Sequence, residues 1–188
     1  MSDTGAAQLD GIRAALLACD DRAARLAASA TPAAWQARPP TGGWCASECL
    51  QHLVLSADAM LLRIDAALAA APAPARAHDA AYRTGFLARV LIWSLEPPYR
   101  MKSKTGAAFA PAQAHTAADD VAALREAHDR VRASLERARG RDLESLVIAS
   151  PFAERVRYNV YAALAILPVH ARRHLWQAEQ TLARLQVG

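Results

Sequence analysis

The stretch CASECLQHLVLSADAMLLRIDAALAA, residues 45 to 70, decides the fold. Leu50, Leu53, Val54, Ala57, Leu61, Ile64 and Leu68 recur there at threes and fours, the period of a helix with one face in a core. No proline or glycine interrupts the run, and alanine and leucine, both strong helix formers, dominate it. The pattern predicts a helix from near Cys45 to about Ala70, and a helix that long must bury its stripe against others.

Working outward, partners appear on both sides. Upstream, Leu9, Ile12, Leu16, Cys19, Ala23 and Leu26 predict a helix over about Ala6 to Ser29, broken by the proline- and glycine-bearing TPAAWQARPPTGG, residues 31 to 43. Downstream, APAPARAHD (71 to 79) reads as a linker whose prolines stop the second helix. Thr84 to Leu95 reads as a shorter helix ended by Glu96-Pro97-Pro98, and residues 99 to 115 as a long ordered loop without periodicity. Thr116 and Asp119 have the spacing of a capping box. They open a third long helix to about Arg139, with Val121, Leu124, His128, Val131 and Leu135 as its stripe and Gly140 as its C-cap. A short segment, Asp142 to Ala149, leads into Ser150-Pro151. The last long helix runs from about Asn159 to Leu185 with Pro168 inside it, a residue that removes one backbone hydrogen bond and bends the helix just before His170.

Alternating strand patterns are scarce. The expectation is an all-α protein, a four-helix bundle with one or two short additional helices, forming a single domain over residues 1–188.

Composition narrows the function classes. The chain is 53% apolar and 21% charged, enough for one core and unlike a disordered sequence. The net charge is +4, nearly all the positive charge is arginine, and no Lys/Arg face with interleaved aromatics marks a nucleic-acid reader. No window has the ~18–20 uncharged apolar residues of a membrane span. MSDTGAAQLDGIRAALLACDD places acids early and lacks the basic-then-apolar order of a secretory signal. Cys19, Cys45 and Cys49 are an odd number, with two of them one helical turn apart. That argues against a disulfide framework, and the expected compartment is the cytoplasm.

The chemistry-bearing residues are histidines. His78 and His115 fall in polar, loop-like stretches and read as solvent histidines, while His128 reads as a satisfied boundary residue of the third helix. In LPVHARRHLWQAEQ, residues 167 to 180, His170 and His174 share one helix face four residues apart. Two imidazoles on one helix plus a third from a neighbour could give three facial ligands to a metal ion. A solvated stripe would show the same spacing. On the second helix, WCASECLQHL (44 to 53) places Cys45, Glu48 and Cys49 within about a quarter-turn of His52. Cys49 has two readings, a fourth ligand closing a structural site or a small buried hydrophobe. Glu48 also has two, a second-shell partner or general base near a metal-bound water, or a first-turn acid favoured by the helix dipole. Arg173 could fix a carboxylate in the bundle interior, bind an anionic substrate group, or snorkel to water, whereas Arg172 points away as a surface residue.

Two separated motifs together resemble a known family. W-x3-E-x3-H, here Trp44, Glu48 and His52, is followed more than a hundred residues later by H-x-R-R-H-L-W-Q. The pair is similar to the DinB-like bacterial four-helix metal-binding proteins, as is PPYRMKSKTGAAFAP (97 to 111), over about residues 10 to 185. The resemblance implies a bundle in which His52, His170 and His174 hold a divalent ion, zinc or nickel, and it implies a homodimer. It also implies metal-dependent chemistry on a small molecule, of thiol S-transferase type with a low-molecular-weight thiol, or of hydrolase type. The rival expectation is a non-catalytic, metal-stabilised dimeric bundle with a structural or binding role. The sequence departs from the pattern with Cys45 where serine is common and Cys49 where an aliphatic residue is usual.

Overall fold

In the computed structural model, residues 4–40, 42–72, 76–98, 106, 109–111 and 115–186 are described. Four long helices carry the fold: α1 (Gly5–Ser29), α3 (Ala46–Ala70), α5 (Ala117–Ala138) and α6 (Val160–Gln186). Two short ones, α2 (Pro32–Gln36) and α4 (Phe86–Leu95), complete the helical set among the described residues. The all-α bundle expected from periodicity is therefore what forms.

α1 and α3 each pack against both α5 and α6, so the two pairs occupy the diagonals of the bundle. Cross-helix pairs give the directions. Asp10 meets Arg139 and Arg13 meets Glu136, so α1 and α5 are antiparallel. Asp58 meets Arg130 and Asp65 meets Arg137, so α3 and α5 are parallel. The core runs the length of the bundle, from Leu9, Leu16, Ile64, Val131, Leu135 and Leu164 at one end to Leu50, Trp35, Leu124 and Leu175 at the other.

The helix ends follow their sequence signals. Thr4, Thr31 and Thr116 each accept a backbone N–H three residues on, worth about 1 kcal/mol per cap. At Thr116 the box is only half made: Asp119 donates its N–H to the threonine hydroxyl, but its carboxylate accepts from that same hydroxyl. Gly140 lies just past the end of α5 at a φ of 69°, where an L side chain is strained.

The expected surroundings of the last helix need one correction. Residues 147–159 form an antiparallel hairpin, β1 (Val147–Ser150) and β2 (Ala153–Asn159), with a register irregularity at Ala149/Ser150. Its turn holds Pro151 and Phe152, and the Phe152 N–H donates to the Ser150 hydroxyl. Tyr158, buried on β2, sets its hydroxyl 3.6 Å from the Met60 sulfur of α3, which pins the hairpin to the bundle. The expected long loop over 99–115 lies mostly outside the described residues. No helix among those described is long and apolar enough to cross a membrane.

α6 continues unbroken through Pro168, whose carbonyl accepts the buried Cys19 thiol. Arg172, expected at the surface, is only partly exposed and holds Glu96 at the end of α4 through two hydrogen bonds of 2.7 and 2.8 Å.

Candidate metal centre

Antiparallel packing of α3 on α6 brings His52 against His170 and His174. The four-residue spacing sets the two α6 rings edge to face, with centroids 4.6 Å apart, and His52 lies 4.5 Å from His174 and 5.1 Å from His170. One ring nitrogen from each lies within 4.8 Å of the others, and this is the group of metal-ligating side chains found among the described residues. His52 and His174 are buried and His170 is partly so.

The hydrogen bonding prepares these nitrogens for a cation. His52 Nδ1 is 2.9 Å from the Phe109 carbonyl, an acceptor, so Nδ1 carries the proton and Nε2 presents a lone pair. That Nε2 lies 3.4 Å from His170 Nε2. Two nitrogens each ~2.1 Å from one tetrahedral ion would stand about 3.4 Å apart. His174 Nδ1 is buried with no hydrogen-bond partner, a state that costs about 1–3 kcal/mol unless something else satisfies it. Three imidazoles, one facing nitrogen pair at ligand spacing and one orphaned nitrogen fit a divalent ion.

Electrostatics keep the rings neutral. Burial lowers His52 below its ordinary value. Burial, helped by His52 and Arg173, pushes His170 down to about 3. Burial, then His170, His52 and Arg173, hold His174 well below 6.5. Neutral imidazole is the form that ligates. A histidine lowered on folding binds fewer protons folded than unfolded, so acid favours unfolding. The contribution is intact above about pH 6.5 and is lost as pH falls from there towards about 3, at up to about 1.4 kcal/mol per pH unit per histidine. The urea midpoint of metal-free protein should accordingly fall between about pH 7.5 and pH 4.5, and fall less in His170→Leu. Identical slopes in the two proteins would contradict this assignment.

Glu48 is placed by the helix end. Its carboxylate accepts the Cys45 N–H at 2.9 Å while Cys45 Sγ accepts the Glu48 N–H at 3.5 Å, a complete capping box in which cysteine takes the usual serine position. Arg38 pairs with the same carboxylate. Burial pushes the Glu48 carboxyl up, but Arg38 and the Cys45 N–H outweigh it, and the group ends below its ordinary value. The glutamate of W-x3-E-x3-H thus fixes the first turn of the helix that presents His52 one turn later.

Cys49 is fully buried in the apolar cluster with Leu50, Leu53 and Leu175 and stands outside the metal-ligating group. Burial raises its thiol well above the ordinary value. Arg173 is buried on α6 and donates to the Ser94 carbonyl near the end of α4. His128, read as a boundary residue, is buried against Asp20. His78 and His115, read as solvent histidines, are both more enclosed: His78 stacks on Tyr82, and His115 pairs with the buried Asp120.

Three neighbours of the centre, Ser56, Phe109 and Phe152, carried no signal that singled them out as functional, and Trp44 entered only as the first residue of W-x3-E-x3-H. Ser56, one turn beyond His52 on α3, is buried with its hydroxyl 3.4 Å from His52 Nε2. The i, i+4 spacing was available, but a serine among alanines looks like any small residue. Trp44 lies against His52 and His174, at 4.8 and 5.8 Å between ring centroids. Phe152 stands 6.1 Å from His170 and 4.7 Å from Phe109.

A helical bundle with three clustered histidines that could hold a metal ion defines a class of protein. Over residues 15–178 the chain matches the DinB superfamily, and it belongs to that family. No curated protein and no solved structure matches it closely enough to name as a relative.

Proposed function

We propose that the chain is a metal-dependent enzyme of thiol S-transferase type, holding a divalent ion, zinc or nickel, on His52, His170 and His174. The observation that carries this reading is the buried, unpartnered His174 Nδ1 beside two imidazoles at ligand spacing. A bound divalent ion would supply Lewis acidity, favouring the deprotonated form of a thiol or water near neutral pH.

The chain's own residues divide the remaining work. The Phe109 carbonyl holds the His52 tautomer. Arg173, fixed on the Ser94 carbonyl, keeps a permanent positive charge beside His170 and His174, which favours an anionic thiolate there. The Ser56 hydroxyl can donate to or accept from a group next to His52. Trp44 covers the rings of His52 and His174. All three cysteines are free and buried, and burial raises each thiol, Cys19 to about 11. None is an accessible thiolate, so the thiol must arrive from solution as a small molecule. A hydrolase would use the same centre with water in place of the thiol.

Protein purified without chelator should carry about one zinc or nickel per chain by elemental analysis. It should also conjugate a small thiol with members of an electrophile panel, losing that activity on metal removal. Metal without conjugation favours hydrolysis or the non-catalytic bundle, and absence of stoichiometric metal refutes the reading.

A further inference from the structure

The hairpin makes one contribution that the bundle does not need. Tyr158 anchors it and Ile148 joins the core, yet the turn residue Phe152 remains 44% exposed. The ring belongs to neither core cluster of the bundle, and its aromatic contacts among the described residues are Phe109 and His170. The ring is nevertheless held in place. The Ser150 hydroxyl fixes the turn from below through the Phe152 N–H, and the ladder continues past it to Val160, whose N–H donates to the Leu146 carbonyl. What the turn accomplishes is to stand Phe152 over His170 and against Phe109. Phe109 comes from another part of the chain, and its carbonyl is the group that orients His52.

We infer that Phe152 and Phe109 form an aromatic recognition site at the mouth of the histidine centre, which receives a flat, uncharged apolar group of the substrate, an aromatic ring or a conjugated alkene. The inference rests on the proposed metal-dependent function and adds the substrate class. The centroid spacings of 4.7 and 6.1 Å fall in the range where aromatic rings attract in tilted geometry. A planar group entering beside them would cover the exposed face of Phe152 and place its reactive atom towards the three imidazoles. A small hydrated ion would gain nothing from either ring.

The test uses imidazole and 4-phenylimidazole as exogenous ligands of the cobalt(II)-loaded protein, followed by visible absorption. They offer the same donor atom and differ by one ring. 4-Phenylimidazole should bind about two- to tenfold more tightly, the contribution of one aromatic contact. Phe152→Ala should erase that preference, read as the ratio of the two affinities within each protein. Equal affinities in the wild type, or an undiminished preference in the variant, would overturn the inference. A second arm is independent of metal: saturation-transfer NMR of benzyl alcohol against cyclohexylmethanol with metal-free protein, where contact selective for the aromatic ring should vanish in Phe152→Ala. If the chain takes up no cobalt, the metal reading fails, and this arm alone decides the aromatic site.

Discussion

Replacing His174 by leucine is expected to abolish stoichiometric metal binding while leaving the metal-free protein at least as stable as the wild type. The two halves of this result have different causes. One of three imidazoles is lost, and since second-shell partners alone are worth 10–100-fold in affinity, a ligand should cost more than about 100-fold. In the metal-free protein, leucine removes a buried nitrogen that has no partner, relieving a cost of about 1–3 kcal/mol, and fills similar space with an apolar group. Urea unfolding with and without zinc checks both, because an ion at a hundredfold excess over its Kd stabilises the wild type by about 2.7 kcal/mol and should not stabilise the variant. Should the variant lose several kcal/mol in the absence of metal, His174 belongs to a structural hydrogen-bond cluster instead.

The second large effect lies between another pair of helices, α1 and α5. Asp20 on α1 is buried, accepts from His128 on α5 and receives Arg132 Nη1 at 2.8 Å. Asp20→Ala leaves an almost fully buried histidine and a largely buried guanidinium without their shared acceptor. Removing one partner of a buried charged set costs about 3–5 kcal/mol. Arg132 keeps the exposed Asp129, so the loss should fall near 3 kcal/mol, or roughly 6–12 °C in Tm for a chain of this size. Asp20→Asn should lose less. A loss below about 1 kcal/mol for the alanine variant would show that water or Asp129 takes over the pairing.

The four long helices were legible because each repeats apolar residues at its own period, and the ends of α5 because Thr116 and Gly140 carry known end chemistry, whereas the Thr4 cap of α1 was not read. The hairpin was not. Val147–Ser150 is only four residues long, and Ala153–Arg157 stays largely exposed, so no alternation of apolar and polar positions marks it. Its turn, Pro151-Phe152, lacks the Asn-Gly or Gly-Gly pair that announces a tight hairpin.

The centre was legible in a different way. Spacing paired His170 with His174, but only the resemblance in WCASECLQHL joined them to His52, 118 residues away. Glu48 and Cys49 illustrate the limit of a face projection. Both sit near His52 on the helix, yet one is spent on the cap with Arg38 and the other in the core. The aromatic mouth comes from loop and turn positions that follow no period, so only folding in three dimensions gathers it.

The parallel course of α3 and α5 has a consequence for how this scaffold varies. α3 spans about 37 Å, and to start α5 alongside it the chain must travel back that whole distance. The return necessarily ends beside the first turns of α3, where His52 sits, and Phe109 lies on that final approach. Insertions, deletions or exchanges between residues 71 and 116 would therefore redraw the entrance to the centre while all three imidazoles stay seated on rigid helices. The helices hold all three imidazoles, while the crossover supplies both the Phe109 carbonyl that orients His52 and the outline that faces substrate.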